Sequence, residues 1–357
     1  MLNRSTMTIR IYRPKLDEDL PDPRMFFDIN NQEYEIYTDP IDNPQIILLN
    51  HHLPLIESTS KIKLFLEIWH NFENQADIIK FKHEKNSNDC YTVTNIVSSK
   101  IENNPNIIFN DFLFNRTKSY YSQFPFRSNT KKWYYNNQFG YLIPNDFSSE
   151  NKNKIYIAPN KNHLGRVIKY RPQIVHLLRT NYWNLGYIGN ITDDPSLVLH
   201  PHDNWPFYTN IQQLENIKVQ PPGIAGYSPP HNEYYKNTFI SIYAETIEWG
   251  NTIAVTEKTY DPLIKGHFIL PFSTSGFIKY LSSLGFRFPD FIDYRYDQIS
   301  DDQQRFNYYQ NEIQRLLSYD LNSWKRFWDD NLELIRYNQL MFYEKPYDRV
   351  DFNKLLS

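Results

Sequence analysis

The feature of the sequence that most constrains the fold is an alternation of strand-like and helix-like segments in its C-terminal half. Thr238 to Ala244 is rich in β-branched and aromatic residues, which predicts a buried strand, and His267 to Phe272 predicts a second one. Between them, Glu257 to Ile264 has the apolar spacing of a helix, and Ser275 begins another helix that ends before Gly285. Strand, helix, strand and helix in close succession are typical of a parallel sheet covered by helices, so the predicted fold class is α/β.

The N-terminal half shows the same alternation. Ile46 to Leu49 and Asn106 to Asn110 predict buried strands, and Lys61 to Phe72 repeats apolar residues at helical spacing. At the other end of the chain, a final aromatic helix is predicted from about Ser323 to Met341.

Chain length and one polar segment set the predicted domain boundaries. The chain has 357 residues, which is about the length of two α/β units of ordinary size. The polar segment at residues 145–153 separates the two patterned regions. We predict a domain at 1–150, a second at 151–320, and a C-terminal helix and tail at 321–357.

Charge and composition narrow the classes of function. The net charge is -3, which disfavours nucleic acid as a partner, because non-specific binding rests on Lys and Arg that neutralise phosphates. Cys90 is the single cysteine, which excludes an intramolecular disulfide and a multi-cysteine zinc cluster. The sequence has no apolar run near the roughly 20 residues that span a bilayer, and no signal-peptide pattern. We therefore expect a cytoplasmic protein without a membrane span.

Polar residues follow the predicted strands where an open α/β sheet binds ligands. Glu245 comes directly after a strand, and Thr256, Glu257 and Lys258 occupy the start of the next helix. The free N–H groups and the dipole of a helix start favour phosphate oxygens, and Lys258 adds a charge suited to a diphosphate. A carboxylate such as Glu257 can accept both hydroxyls of a ribose. The alternative is that Glu257 only complements the dipole of its own helix while Lys258 is solvated.

The sequence has neither a Walker loop nor a Gly-x-Gly-x-x-Gly motif, so side chains and the helix start would have to hold the phosphates. The region from Phe239 to Arg305 resembles a family of glycosyltransferases that is common in phages and large viruses and is related to the fucosyltransferases. The resemblance is carried by the segments Ser241-Ile242-Tyr243-Ala244-Glu245, Thr256-Glu257-Lys258-Thr259-Tyr260-Asp261-Pro262-Leu263, Gly266-His267, Leu284-Gly285-Phe286 and Asp293-Tyr294-Arg295-Tyr296-Asp297. Upstream, Lys154 to Ala158 with Arg166 and Arg171 resembles the strand and basic helix start that hold the donor phosphates in that family.

The resemblance implies two Rossmann-like domains of the GT-B kind, with the nucleotide-sugar donor in the C-terminal domain and the acceptor facing the N-terminal one. It implies an inverting hexosyl- or fucosyltransferase-like enzyme with no essential metal or cofactor, in which the nucleotide sugar is a co-substrate. Carried over, Glu245 and Glu257 contact the ribose and Lys258 contacts the diphosphate. The donor site would further include Thr256, Arg171 and Arg166.

Inversion at the sugar requires one general base near the acceptor hydroxyl. Asp111, at the end of a predicted strand, is the leading candidate, and His51, which follows another predicted strand, is the second. The alternative for Asp111 is a residue that caps the start of a loop.

Three further questions stay open in the sequence. The 28 tyrosines and 24 phenylalanines would also suit a non-catalytic carbohydrate- or nucleotide-binding module. His200-Pro201-His202-Asp203 concentrates potential metal ligands, although its spacing matches no strong template for a metal-dependent enzyme. The acceptor could be a glycan, a lipid-linked sugar, a protein or a modified DNA base; a glycan is favoured.

Overall fold

A computed structural model describes residues 9–12, 34–37, 46–50, 62–67, 90–94, 107–109, 148–162, 169–192, 232–250 and 252–344. The chain forms two compact units, and the described strands up to residue 109 belong to the first, whereas the elements from residue 148 to 344 belong to the second. Every pairing between the described strands is parallel, which confirms the α/β prediction. In the described part of the chain, no helix is both long and apolar enough to cross a membrane.

The first unit contains a six-stranded parallel sheet with the order β2-β1-β3-β4-β5-β6. Its strands are β1 (Ile9–Tyr12), β2 (Tyr34–Tyr37), β3 (Ile46–Asn50), β4 (Ile62–Glu67), β5 (Cys90–Thr94) and β6 (Ile107–Phe109). The strands predicted near residues 46–49 and 106–110 are confirmed as β3 and β6.

The helix predicted over Lys61 to Phe72 is wrong, because residues of that segment form β4. The sequence of β4 alternates apolar Ile62, Leu64 and Leu66 with other residues, so a period of two fits it as well as a helical period does. β4 pairs with β3 on one side and β5 on the other. A strand between two neighbours gives its main-chain N–H and C=O groups partners along both sides, and this decides against the local helix.

The second unit contains a four-stranded parallel sheet with the order β10-β9-β7-β8 and is Rossmann-like. Its strands are β7 (Tyr156–Asn162), β8 (Gly186–Thr192), β9 (Ile240–Ala244) and β10 (Phe268–Phe272). Its helices are α1 (Arg171–Asn181), α2 (Asn232–Asn237), α3 (Glu257–Ile264), α4 (Phe277–Ser283), α5 (Asp302–Leu317), α6 (Leu321–Asp330) and α7 (Leu332–Glu344).

The C-terminal helices share the core of this second sheet. β9 and β10 are buried along their whole length. Trp328 of α6 packs edge-on against Phe239 and Phe268, with ring centroids 5.7 and 5.5 Å apart, and Phe306 of α5 packs against Phe272. Aromatic pairs in this geometry stabilise a core by about 0.5 to 1.5 kcal/mol beyond the area they bury. The aromatic C-terminal segment is therefore part of the structure that supports the sheet.

Two predicted helix boundaries are corrected. Ser275 does not cap α4; Gly276, with a φ of 85°, is the residue before the helix, and the Ser275 hydroxyl donates to the carbonyl of Asp297. The single helix predicted from Ser323 to Met341 is two helices, α6 and α7, separated at Asn331. The side-chain amide of Asn331 donates to the carbonyl of Phe327 at 2.8 Å, which satisfies one of the last carbonyls of α6.

A buried amine at the end of α3 makes stability depend on pH. Burial lowers the pKa of Lys265 to about 7, with the charge of Asp261 opposing the shift. The unfolded pKa is about 10.4, so the folded state binds fewer protons between these values and stability rises with pH across that window. We predict that Lys265→Met raises the free energy of unfolding, and that this gain is about 2 to 3 kcal/mol larger at pH 6 than at pH 9.

The measurement is urea unfolding of both proteins at the two pH values. Lys279→Met, at an exposed position on α4, is the matched control and should show no such dependence. An equal effect of Lys265→Met at both pH values would contradict the prediction.

Candidate functional site

Five of the site residues predicted from the sequence meet at the carboxyl edge of the second sheet. β7 has β8 on one side and β9 on the other, so the direction in which the chain winds reverses between β7 and β9. Open α/β sheets bind ligands at this kind of switch point. α1 begins after β7, Glu245 follows β9, and α3 begins beside them. The topology brings together Arg171, Glu245, Thr256, Glu257 and Lys258.

The carboxylate of Glu245 lies beneath the start of α3 and has no exposed surface. One oxygen accepts from the main-chain N–H of Thr256 at 3.2 Å and from the hydroxyl of Thr259 at 2.5 Å. The other accepts from the N–H of Thr246 at 3.1 Å and from the hydroxyl of Thr256 at 2.6 Å. Direct contact between Glu245 and a ribose does not fit this geometry, because protein donors occupy both oxygens. Glu245 instead holds the start of α3 in place.

The side chains of Glu257 and Lys258 lie at the surface of the same helix start. Thr256 caps α3, since its hydroxyl accepts from the N–H of Lys258 at 3.3 Å. The ammonium of Lys258 lies 3.1 Å from the Glu257 carboxylate and 3.1 Å from the Thr246 hydroxyl, and the Lys258 and Glu257 side chains are 18% and 22% exposed. The Lys258 ammonium and the positive end of the helix dipole of α3 therefore lie together, with the carboxylates of Glu257 and Glu245 as their present partners.

Arg171 is buried and joins α1 to the end of β9. Its guanidinium donates to the carbonyl of Glu245 at 2.9 Å and lies 3.7 Å from the carboxylate of Glu248. That carboxylate in turn accepts from the N–H groups of Lys169 and Tyr170 at 3.2 and 2.8 Å, at the start of α1. The prediction that Arg171 holds the donor phosphates does not fit, because its side chain is 5% exposed and Glu248 occupies the anion position of α1.

Two groups near the site have raised pKa values. Burial raises the pKa of Glu248, against the opposing charge of Arg171 and the N–H groups of α1. Burial, and after it the neighbouring Glu245 carboxylate, raises the pKa of Tyr243 well above its usual range. Tyr243 therefore stays protonated at neutral pH, and its hydroxyl lies 2.7 Å from that of Thr259.

Three residues that build this edge of the sheet were not among the predicted site residues. Glu248 lies in the irregular segment after β9, and Arg305 of α5 donates to the carbonyls of Ser273 and Glu248, which follow β10 and β9. No sequence periodicity points to either residue. Thr259 could have been found, since its spacing of three from Thr256 places both hydroxyls on one face of a helix.

Several predicted residues lie outside the part of the chain that the structure describes. They are the candidate bases Asp111 and His51, the donor-site residue Arg166, and the cluster from His200 to Asp203. Among the described residues, no group of three or more His, Cys, Asp and Glu side chains is placed to hold a metal ion.

The comparisons with known proteins give a likeness among solved structures and none among family models or curated proteins. No protein-family model matches the sequence, and no curated protein matches it. Among solved structures, the chain is similar to one described as "Crystal Structure of alpha1,3-Fucosyltransferase", with 10% identity and a TM-score of 0.47. The likeness covers 100% of this chain and 89% of that one.

Proposed function

We propose that the protein is a glycosyltransferase that binds a nucleotide-sugar donor at the start of α3. The observation that carries the proposal is the accessible ammonium of Lys258, which lies at the N-terminal end of a helix on the carboxyl edge of a parallel sheet. The motif around Thr256-Glu257-Lys258 resembles that of glycosyltransferases related to the fucosyltransferases. This resemblance is the reason for proposing a nucleotide sugar, and not only a nucleotide, as the ligand.

In this proposal the donor binds by exchange with an existing ion pair. The diphosphate binds the ammonium of Lys258, which now contacts Glu257, and the Glu257 carboxylate accepts from the ribose hydroxyls. Thr256, Glu245 and Arg171 do not touch the donor in this account. They fix the helix start through the hydrogen bonds between Glu245, Thr256 and the guanidinium of Arg171.

The reaction we propose is an inverting transfer within a GT-B fold. A general base removes the proton of the acceptor hydroxyl as its oxygen attacks the anomeric carbon, and the bond to the nucleoside diphosphate breaks. Lys258 and the helix start stabilise the charge of the leaving group, so the proposal requires no divalent ion. Asp111 is the proposed base and His51 the alternative, and a glycan is the favoured acceptor.

The proposal predicts that the contribution of Lys258 is specific for phosphate. Lys258→Met should weaken binding of UDP or GDP about 10- to 100-fold, because a hydrogen bond to a charged group contributes about 1.5 to 3 kcal/mol. Binding of the corresponding nucleoside should change little. Isothermal titration calorimetry with each ligand measures both constants.

Lys279→Met is the matched control, because it removes a lysine from an exposed position on α4. If Lys258→Met leaves diphosphate binding unchanged, the donor site does not lie at the start of α3. A loss of cooperative melting in Lys258→Met would show that the side chain has a structural role instead.

A further inference from the structure

A chain of three buried side chains connects β9 to α3. The hydroxyl of Thr259 lies 2.5 Å from the carboxylate of Glu245 and 2.7 Å from the hydroxyl of Tyr243. All three residues have no exposed surface. The Thr259 hydroxyl donates its single hydrogen to Glu245, so in the second contact it accepts and the hydroxyl of Tyr243 donates to it. The direction of each hydrogen bond is thereby fixed.

Glu245 thus holds α3 at two points. Its carboxylate accepts from the hydroxyls of Thr256 and Thr259, which are three residues apart and lie on one face of the helix. Glu257 and Lys258 lie between them in sequence and are the partly exposed residues of this turn. One attachment at Thr256 would fix the position of the helix start. The second attachment at Thr259 adds a constraint on the rotation of the helix about its axis, beside the packing of buried residues such as Tyr260 and Leu263.

We propose that Thr259 is a positioning residue of the donor site, whose hydroxyl sets the rotation of α3 at which Lys258 and Glu257 face the ligand. The inference rests on the proposed function. An α-helix turns by about 100° per residue, so even a fraction of that rotation moves the ammonium of Lys258 away from a bound diphosphate. Thr259 acts through Lys258 and does not itself touch the donor.

The test compares binding of UDP, GDP and the corresponding nucleosides by calorimetry in the full-length protein. Thr259→Val keeps the shape of the side chain but removes the hydroxyl, and we expect it to weaken diphosphate binding about tenfold while nucleoside binding changes less. Thr259→Ser keeps the hydroxyl and should restore diphosphate binding to within about threefold of the wild type. A role in packing alone would not give this order, because serine loses the methyl group that valine retains.

Thr238→Val is the matched control. The Thr238 hydroxyl is also buried and donates to the carbonyl of Tyr234 at 2.6 Å, but it precedes β9 and so lies at the opposite end of that strand from Glu245. It should lower the melting temperature as Thr259→Val does and leave diphosphate binding unchanged. Equal loss of binding in both variants, or wild-type binding in Thr259→Val, would overturn the inference.

If Thr259→Val does not melt cooperatively, Tyr243→Phe replaces it, since this variant removes one hydroxyl from the same chain of hydrogen bonds. We expect Tyr243→Phe to weaken diphosphate binding about threefold. Unchanged diphosphate binding in Tyr243→Phe would overturn the inference. If the wild type binds neither diphosphate, the proposed function fails and this inference fails with it. Wild-type binding with no effect of Thr259→Val rejects the inference alone.

Discussion

Replacing Arg305 by methionine is expected to lower the melting temperature of the second unit by about 10 °C. The guanidinium is fully buried and donates to the carbonyls of Ser273 and Ile299 at 2.9 Å, to that of Glu248 at 3.3 Å, and to the Asp302 carboxylate at 2.5 Å. Removing one partner of a buried charged network costs about 3 to 5 kcal/mol, because the remaining polar groups stay buried without it. In a unit of this size, each kcal/mol corresponds to about 2 to 4 °C.

The matched control is Arg295→Met. Arg295 makes a salt bridge with Asp293, but its side chain is 82% exposed, so solvent screens the pair and its loss should change the melting temperature little. Differential scanning calorimetry of the two variants provides the comparison. Similar melting temperatures for Arg305→Met and Arg295→Met would contradict the role given to Arg305. Because Arg305 joins the segments that follow β9 and β10, we expect Arg305→Met to weaken nucleotide binding as well.

Glu245→Gln is expected to have the second largest effect, a loss of about 2 to 4 kcal/mol of stability together with most of the nucleotide binding. Each carboxylate oxygen accepts one main-chain N–H, from Thr256 on one side and from Thr246 on the other. A glutamine must place its NH2 group against one of these N–H groups in either orientation, and a main-chain N–H cannot turn away. An unsatisfied buried donor costs about 1 to 3 kcal/mol, and here two donors face each other.

Glu257→Gln is the matched control for stability, since Glu257 is twelve residues further along the chain and 22% exposed. It should change the free energy of unfolding less than Glu245→Gln does, because the Glu257 side chain is partly exposed whereas Glu245 has no exposed surface. Urea unfolding monitored by circular dichroism distinguishes the two variants. If Glu245→Gln is as stable as Glu257→Gln, the buried carboxylate does not hold α3.

The elements with strong local signals were predictable from the sequence. α3 has a threonine cap at Thr256 followed by apolar residues at helical spacing, and its bounds match the prediction. β9 and β10 are buried along their length, and their sequences are accordingly short and mostly apolar, with Ser241 as the exception in β9. Where the apolar pattern and the capping residue indicate the same element, a single sequence is enough to predict it.

The errors arise where tertiary contacts decide between two local patterns. Ile62–Glu67 fits both a helix and a strand, and its two neighbouring strands select the strand. The break at Asn331 between α6 and α7 has no proline or glycine to mark it. At the break, the side chain of Asn331 caps the carbonyl of Phe327, which propensity alone does not reveal.

At the candidate site, the positions of the residues in the fold were predictable from the sequence, but the burial of their side chains was not. The motif placed Glu245, Arg171 and Lys258 at the strand ends and helix starts where the structure has them. It could not show that Glu245 and Arg171 are buried and bonded within the protein, because this depends on Thr259 and Glu248 from other segments. In the proposed donor site, the residues that face the ligand are therefore fewer than the sequence implied, and they centre on Glu257 and Lys258.

The measurement that tests the central claim most directly is the release of nucleoside diphosphate from nucleotide sugars. The full-length protein is incubated with a panel of UDP- and GDP-sugars and glycan acceptors, in the presence of EDTA, and the free diphosphate is quantified. The proposed function predicts acceptor-dependent release from at least one donor, which Lys258→Met reduces. Nucleotide binding without release from any donor would contradict catalysis and leave a binding module, and the absence of both would reject the donor site.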